Sequence, residues 1–321
     1  MLFSRWVRRI FRRLHRPEVL RQIRLSGATR PRLPVTSETG KPTVYSWTGC
    51  DGRKFFERLA DYWPQLWPEP ALPGQELSAR VLVKINLNTA DPFPAATDAG
   101  VLRELLLFLR QQGYSRLRVG DCSSISAVPT RNVADKTGIL AAVEGLAEFV
   151  AFDEQPWLRL ESGLPYLPAV SVPQSLAETD FLLHLANMKT HSLADFSFGL
   201  KLGIGYMHPL ERYALHKENL QEKVAEMASL IVPDLTIVDG RRAFVCGGPV
   251  TGRVEASEVM LVGRNSLAVD VAAYRKLYAL KRQLGCVEGF AAEPFAMRQL
   301  ARAGQLAFGG QPWQEYALVE I

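Results

Sequence analysis

Residues 80–120 read RVLVKINLNTADPFPAATDAGVLRELLLFLRQQGYSRLRVG. The run 80–88 is short, apolar and β-branched, which suits a strand buried on both faces. A polar, proline-punctuated loop follows it. From 98 to 112 the apolar residues Val101, Leu102, Leu105, Leu106 and Leu109 recur at helical spacing, and Gly113 closes the helix. Residues 116–120 form a second strand that runs into Asp121-Cys122-Ser123-Ser124. A strand, a helix and a strand at this spacing make a parallel crossover unit.

The alternation continues along the chain. Strands are expected at 148–153, 166–172, 179–185, 234–239, 258–262 and 315–320, and helices at 211–231 and 266–280. The expected fold is therefore α/β, a mostly parallel sheet covered by helices on both faces, preceded by a basic amphipathic N-terminal helix. The expected organisation is a basic helix over 1–25, a linker over 26–42 rich in Pro, Gly and polar residues, and one α/β domain over 43–321. No internal repeat is visible.

Composition narrows the function classes. The chain has 321 residues and a net charge of +5. Residues 1–30 hold nine Arg and a single acid, Glu18, giving +8, so the remaining 291 residues sum to −3. The basic character belongs to the N-terminus, and the body gives no argument for a nucleic-acid partner. No run of about 18 apolar residues exists, which excludes a membrane-spanning helix of ordinary length. The cysteines, at 50, 122, 246 and 286, form no Cys-x-x-Cys pair, so neither a zinc ribbon nor a ferredoxin-type cluster has local support. Free thiols fit a reducing, cytoplasmic setting.

In MLFSRWVRRIFRRLHR (1–16), Leu2, Phe3, Trp6, Val7, Ile10, Phe11 and Leu14 fall on one side of a helix and six arginines on the other. That pattern suits peripheral attachment to an anionic membrane surface, and equally a helix docked on its own domain or on a protein partner. The Arg8-Arg9 pair is followed by more charge rather than an apolar run, so no cleaved export signal is read, although a mitochondrial-type presequence shares the pattern.

The chemistry concentrates where strands end. Residues 184–216, HLANMKTHSLADFSFGLKLGIGYMHPLERYALH, hold four of the five histidines together with Lys189 and Lys201. Two lysines, the Thr190 hydroxyl and the backbone around Gly203 are what a small anionic ligand requires. Histidines 191, 208 and 216 titrate near neutrality and suit acid–base work or metal ligation. Positions 208 and 216 are too far apart on one helix to share an ion, and no metal site is read. His184 alternates with apolar residues and is expected to be structural. Lys84 and Asn86 are two apart on a strand and should share a face, directed at the same cleft as Asp121. Asp121 and Asp239 each end a strand, where a carboxylate serves a turn, a helix cap or a site. The loop CGGPVTG (246–252) lacks the P-loop pattern, and neither a dinucleotide fingerprint nor a Gly-x-Ser-x-Gly elbow is present.

The blocks VLVKINLN, TDFLLHLANMKTHSLADFSFGLKLGIGYM, DLTIVDGRRAFVCGGPVTG and SLAVDVAAYRKL, in that order, are similar to the bacterial and archaeal family called domain of unknown function 362 (DUF362), over roughly residues 78–285. Members often carry a ferredoxin-like cysteine cluster, which this chain lacks, and commonly have Asn where this chain has Leu202. The resemblance therefore implies no iron–sulfur role and names no cofactor. The strand, Lys-x-His and Gly-rich order is also similar, at the level of fold alone, to the nickel-pincer lactate racemases. Two functions are expected. One is an enzyme in which Lys84, Asn86, Lys189, Thr190, Lys201 and Gly203 bind a small anionic substrate or cofactor while His191 and Asp121 perform the acid–base chemistry. The other is a non-catalytic module that binds a ligand or docks at a membrane surface.

Overall fold

The computed structural model describes residues 21–22, 40–67, 79–306 and 315–321. The strands are β1 (Arg21–Gln22), β2 (Thr43–Thr48), β3 (Arg80–Lys84), β4 (Arg116–Asp121), β5 (Glu148–Ala151), β6 (Trp157–Glu161), β7 (Ala169–Pro173), β8 (Phe181–His191), β9 (Asp195–Ser197), β10 (Leu235–Gly247), β11 (Gly252–Gly263) and β12 (Ala317–Glu320). Nine of them form one sheet in the order β12-β2-β11-β10-β8-β3-β4-β5, with β9 paired to β8. Its centre, from β10 through β8, β3 and β4 to β5, is parallel, and β11 returns antiparallel to β10. A small second sheet joins β1, β6 and β7.

Alternation along the strands feeds a separate core on each face. Val81, Val83, Leu183, Leu185, Leu235 and Ile237 point to one face, where the Gly52–Leu59 and Ala99–Gln111 helices cover them. Leu82, Leu182, Ala186, Met188 and Val238 point to the other, under the Leu220–Leu230, Ser266–Gln283 and Arg298–Gln305 helices. The expected α/β architecture is thus present. Asp98 begins the Ala99–Gln111 helix by accepting from the Val101 N–H at 2.8 Å, and Gly113 follows it at φ 93°.

Several expected boundaries are corrected. The single helix over 211–231 is two, Pro209–Leu215 and Leu220–Leu230, interrupted by Asn219 at φ 51°. Asn tolerates this left-handed conformation better than most residues do. The strand expected to stop at 185 runs to His191, because β9 and β10 supply backbone partners beyond it. The strand expected at 234–239 likewise runs to Gly247 as one arm of the β10–β11 hairpin, and β2 and β6 were not anticipated. Arg21–Gln22 pair in parallel with β6, so the helix expected over 1–25 does not extend through them. That pairing satisfies backbone groups of an otherwise open edge. Residues 1–20 and 23–25 of that expected helix and 26–39 of the expected linker lie outside the described residues. Among the described residues, no helix is long and apolar enough to cross a membrane.

The short Gly199–Leu202 helix that carries Lys201 is fixed from beneath. Asp270, fully buried, accepts from the Gly199 and Leu200 N–H groups at 2.8 and 2.9 Å. A side chain at 199 would meet Asp270 Oδ1 at 2.9 Å, so only glycine allows this approach. Burial raises the Asp270 carboxyl from 3.8 to about 7. Its folded pKa exceeds its unfolded one, so the stability it contributes declines as pH rises between those two values and is level above them. Asp270→Asn retains one acceptor and sets an amide against the second N–H, which should cost about 1–3 kcal/mol. Urea unfolding should show the gap between wild type and variant narrowing from about pH 4 to about pH 7. A gap that is constant over that range would refute the assignment.

Candidate functional site

The strand order reverses between β3 and β8. From β3 the chain builds outward through β4 and β5, then returns to place β8 on β3's other side. In open α/β sheets the crevice beyond the carboxyl ends of strands at such a switch point is where ligands bind. Four polar strand ends meet there: Lys84 and the loop after it, Asp121, the stretch Asn187–His191, and the short helix bearing Lys201.

Lys84 is 1% exposed, and its ammonium lies 2.7 Å from Asp121 Oδ1, 2.7 Å from the Ile85 carbonyl and 5.4 Å from the centre of the Tyr206 ring. Asp121 also accepts from the Cys122 N–H at 2.7 Å and, through Oδ2, from the Leu87 N–H at 2.5 Å. Both carboxylate oxygens are therefore engaged, and Asp121 fixes Lys84 and the start of the β3 loop. Burial lowers the Lys84 pKa, and Asp121 opposes that shift. Gly205 closes over the pair, since any side chain there would overlap both Lys84 Nζ and Asp121 Oδ1.

Asn86 joins the loop after β3 to β8. Its amide donates to the Ala95 carbonyl at 3.1 Å and to Asn187 Oδ1 at 3.2 Å, while Asn187 donates to the Ala96 carbonyl at 3.0 Å. Lys189 donates to the same Ala95 carbonyl at 2.6 Å. Residues 85–97 are thereby tied down over the strand ends.

Lys189 and His191 share one face of β8, and Thr190 falls on the other. The Thr190 hydroxyl is buried with no hydrogen-bond partner, beside Gly248 at the tip of the β10–β11 hairpin. Lys201 lies near enough to Lys189 and His191 to depress both. Burial, then Lys201, pushes Lys189 down to about 7, and burial with Lys201, Lys189 and His216 pushes His191 to about 2. Lys201 itself falls to about 8 through burial and the nearby Arg212 guanidinium. Among the described residues its ammonium has no hydrogen-bond or carboxylate partner. Gly203 instead backs onto Met227.

Arg212 and Asn187 join this cluster and are absent from the sequence-derived set, and His216, one of the histidines put forward for acid–base work, lies near His191. Arg212 is 6% exposed, and its guanidinium donates to the Cys122 carbonyl at 2.7 Å and to the Ser123 carbonyl. It binds the end of β4 to the helix below and adds a further positive charge near Lys201 and Lys84. The four-residue spacing of His208, Arg212 and His216 places all three on one helical stripe, which is the signal that could have revealed Arg212. His208 caps that helix, accepting from the Leu210 N–H at 3.3 Å, with its ring on Trp157 at 4.8 Å. His184 is structural, contacting the Gly199 carbonyl at 3.2 Å and the Tyr206 hydroxyl at 3.1 Å.

The two remaining histidines hold opposite tautomers. His191 Nδ1 accepts from the Leu193 and Ala194 N–H groups at 3.1 and 3.3 Å, which leaves the proton on Nε2. His216 Nδ1 faces the Arg212 carbonyl at 2.8 Å and must donate to it, which leaves a lone pair on Nε2. Both are neutral near pH 7, since burial and the adjacent cations lower each of them. Among the described residues, no group of three or more His, Cys, Asp or Glu could hold a metal ion. A pocket of about 430 Å³ lies at the opposite end of the sheet, but two of its arginines are already paired, Arg80 with Asp180 at 2.8 Å and Arg118 with Glu148 at 3.1 Å.

This is an α/β protein with a cluster of largely buried cations where its strand order reverses. The family described as "Domain of unknown function (DUF362)" matches residues 81–275, and the chain belongs to that family. No curated protein matches the chain. Among solved structures it is similar to the lactate racemase apoprotein of Thermoanaerobacterium thermosaccharolyticum, at 14% identity and a TM-score of 0.37, over 62% of this chain and 50% of that one. It is also similar to a structural-genomics protein of Thermotoga maritima, at 14% identity and a TM-score of 0.43, over 73% and 59% of the respective chains. The chain therefore spans about half of the first and three-fifths of the second, and likeness at this level carries no argument about chemistry.

The two glycines of the Lys201 turn should respond differently to alanine. Gly205→Ala would force the Lys84–Asp121 pair apart inside the protein and should cost about 3 kcal/mol or more. Gly203→Ala meets only Met227 Cγ, at 4.0 Å, and should fall within about 0.5 kcal/mol of wild type. Denaturant midpoints of the two variants decide this, and equal losses would count against the packing described.

Proposed function

We propose that the crevice binds a small anion, a carboxylate or a phosphate, and that the protein is an enzyme moving a proton on that molecule. The observation that carries this reading is the unpartnered Lys201 ammonium beside Lys189 and Arg212. Buried like charges destabilise one another unless an anion lies between them. Lys189 and Lys201 are the groups free to change partner, whereas Lys84 is held by Asp121 and Arg212 by two carbonyls. His191 Nε2–H is available to hydrogen-bond the substrate and His216 Nε2 is available as the base that takes its proton. Asp121 keeps Lys84 in place, and Asn86 holds the β3 loop.

Inorganic phosphate and malonate are suitable probes for calorimetry. An anion stabilises the charged form of both lysines, so binding should take up protons, be tightest below about pH 7 and weaken above about pH 8. Lys201→Met should reduce affinity about tenfold or more, His191→Gln should leave it nearly unchanged, and Lys217→Met, an exposed control, should have no effect. Affinity that is flat from about pH 6 to about pH 9, or that is insensitive to Lys201→Met, would overturn the reading.

We also propose that the basic segment 1–16, outside the described residues, places the domain at an anionic membrane surface. Deleting it should leave the thermal transition intact and abolish a salt-sensitive association with vesicles containing phosphatidylserine. Equal association of the truncated protein would exclude this placement.

A further inference from the structure

The CGGPVTG loop forms the turn between β10 and β11, and the reading above gives it no role. Its tip rests on the candidate site. Gly248, at φ 74°, approaches Thr190 so closely that a side chain would overlap the Thr190 carbonyl. The Gly248 carbonyl also accepts from the Ser192 N–H at 3.4 Å. The hairpin thus presses on the backbone between Lys189 and His191.

Cys246 precedes this tip, and Cys286 lies in the turn after the Ser266–Gln283 helix. The two are distant in sequence and adjacent in space. Cys286 Sγ sits 3.9 Å from the carbonyl of Val245, the residue next to Cys246, and the two cysteine side chains are close enough to interact. Lys281 donates to that same Val245 carbonyl at 2.6 Å, and the Cys286 N–H donates to the Lys281 carbonyl at 2.9 Å, so backbone and side chain together fix the turn against β10. Both thiols are free and partly exposed, whereas Cys122 is buried. The helix leading to Cys286 is the one whose Asp270 holds the Lys201 turn.

We propose that Cys246 and Cys286 form an oxidisable dithiol that closes to a disulfide on reaction with a hydroperoxide, coupling the hairpin over Thr190 to the helix that positions Lys201. One thiolate attacks the peroxide, breaking the O–O bond and giving a sulfenic acid with release of water or an alcohol. The second thiol then displaces water from that sulfur and forms the S–S bond. Two electrons pass from the sulfurs to the peroxide, and a thiol reductant reverses the change. Burial and the neighbouring thiol raise the Cys286 pKa, so the reaction should accelerate as pH rises through the alkaline range. The inference stands apart from the anion-binding reading, because the dithiol and its oxidation need no ligand.

The test uses the full chain, reduced and then exposed to hydrogen peroxide. Alkylation and peptide mass mapping without reductant should show a 246–286 cross-link with a loss of about 2 Da, reversed by dithiothreitol. Cys286→Ser and Cys246→Ser should each abolish it, and Cys50→Ser should not. The oxidised protein should melt roughly 5 °C higher, because the bridge closes a long loop. Hydrogen exchange at residues 189–202 should slow on oxidation in wild type and be unchanged in Cys286→Ser. Both thiols remaining alkylatable, oxidation stopping at separate sulfinic acids, or a cross-link through Cys50 would overturn the proposal. A cross-link that leaves exchange at 189–202 unaltered would overturn the coupling to the site.

Discussion

Positive charge held out of water at one end of the sheet is the constraint that organises this molecule. Lys84, Lys189 and Arg212 are each less than 9% exposed, and Lys201 stands beside them. Charges so placed cost several kcal/mol apiece unless they are compensated. The fold compensates them unequally. Lys84 receives a full carboxylate, Asp121, and Arg212 receives two backbone carbonyls. Lys189 receives one carbonyl, and Lys201 receives nothing from the described residues. The gradient runs from Lys84 and Arg212, fully compensated by the fold, to Lys201, which is not.

Compensation of this kind requires the backbone to come to the side chains. Asp121 grips the loop after β3 through the Leu87 N–H, and Asp270 grips the Lys201 turn through two more. Glycines at 199 and 205 allow these approaches, because a methyl group at either position would occupy the space of a carboxylate oxygen. The electrostatics and the glycine pattern are one design: charged groups can be buried here only where main chain replaces water as their partner.

Much of this was legible in the sequence, and the limits have physical causes. The strand at 116–120, the helix before it and the first five residues of the strand expected at 80–88 follow from apolar spacing alone, whereas 85–88 leave the sheet as a loop. The extension of β8 to His191 was hidden because Asn187, Lys189 and His191 look like a loop, and only the partners β9 and β10 keep them extended. The same holds for Gly240-Arg241-Arg242 within β10. Lys84, Lys189 and Lys201 could be singled out because a lysine after an apolar run is conspicuous. For Arg212 the one mark is its four-residue spacing from His208 and His216, since an arginine on an amphipathic helix otherwise resembles any solvated one until the fold sets it against the end of β4. Which glycine matters, Gly205 rather than Gly203, depends on which Cα faces the ion pair, and periodicity carries no such information.

The reversal of strand order has a consequence for how the chain is made. β3 pairs with β4 as soon as both exist, but its other neighbour, β8, begins only at Phe181, and β2 waits for β11 at Gly252–Gly263. During synthesis the emerging amino-terminal half therefore carries an apolar strand with an unsatisfied edge, which is a known route to aggregation. The crevice cannot exist in any such fragment, because its lysines come from both sides of the gap. Long-range parallel pairing of this kind folds slowly, and completion of β8 is the step that both seals the sheet and creates the site.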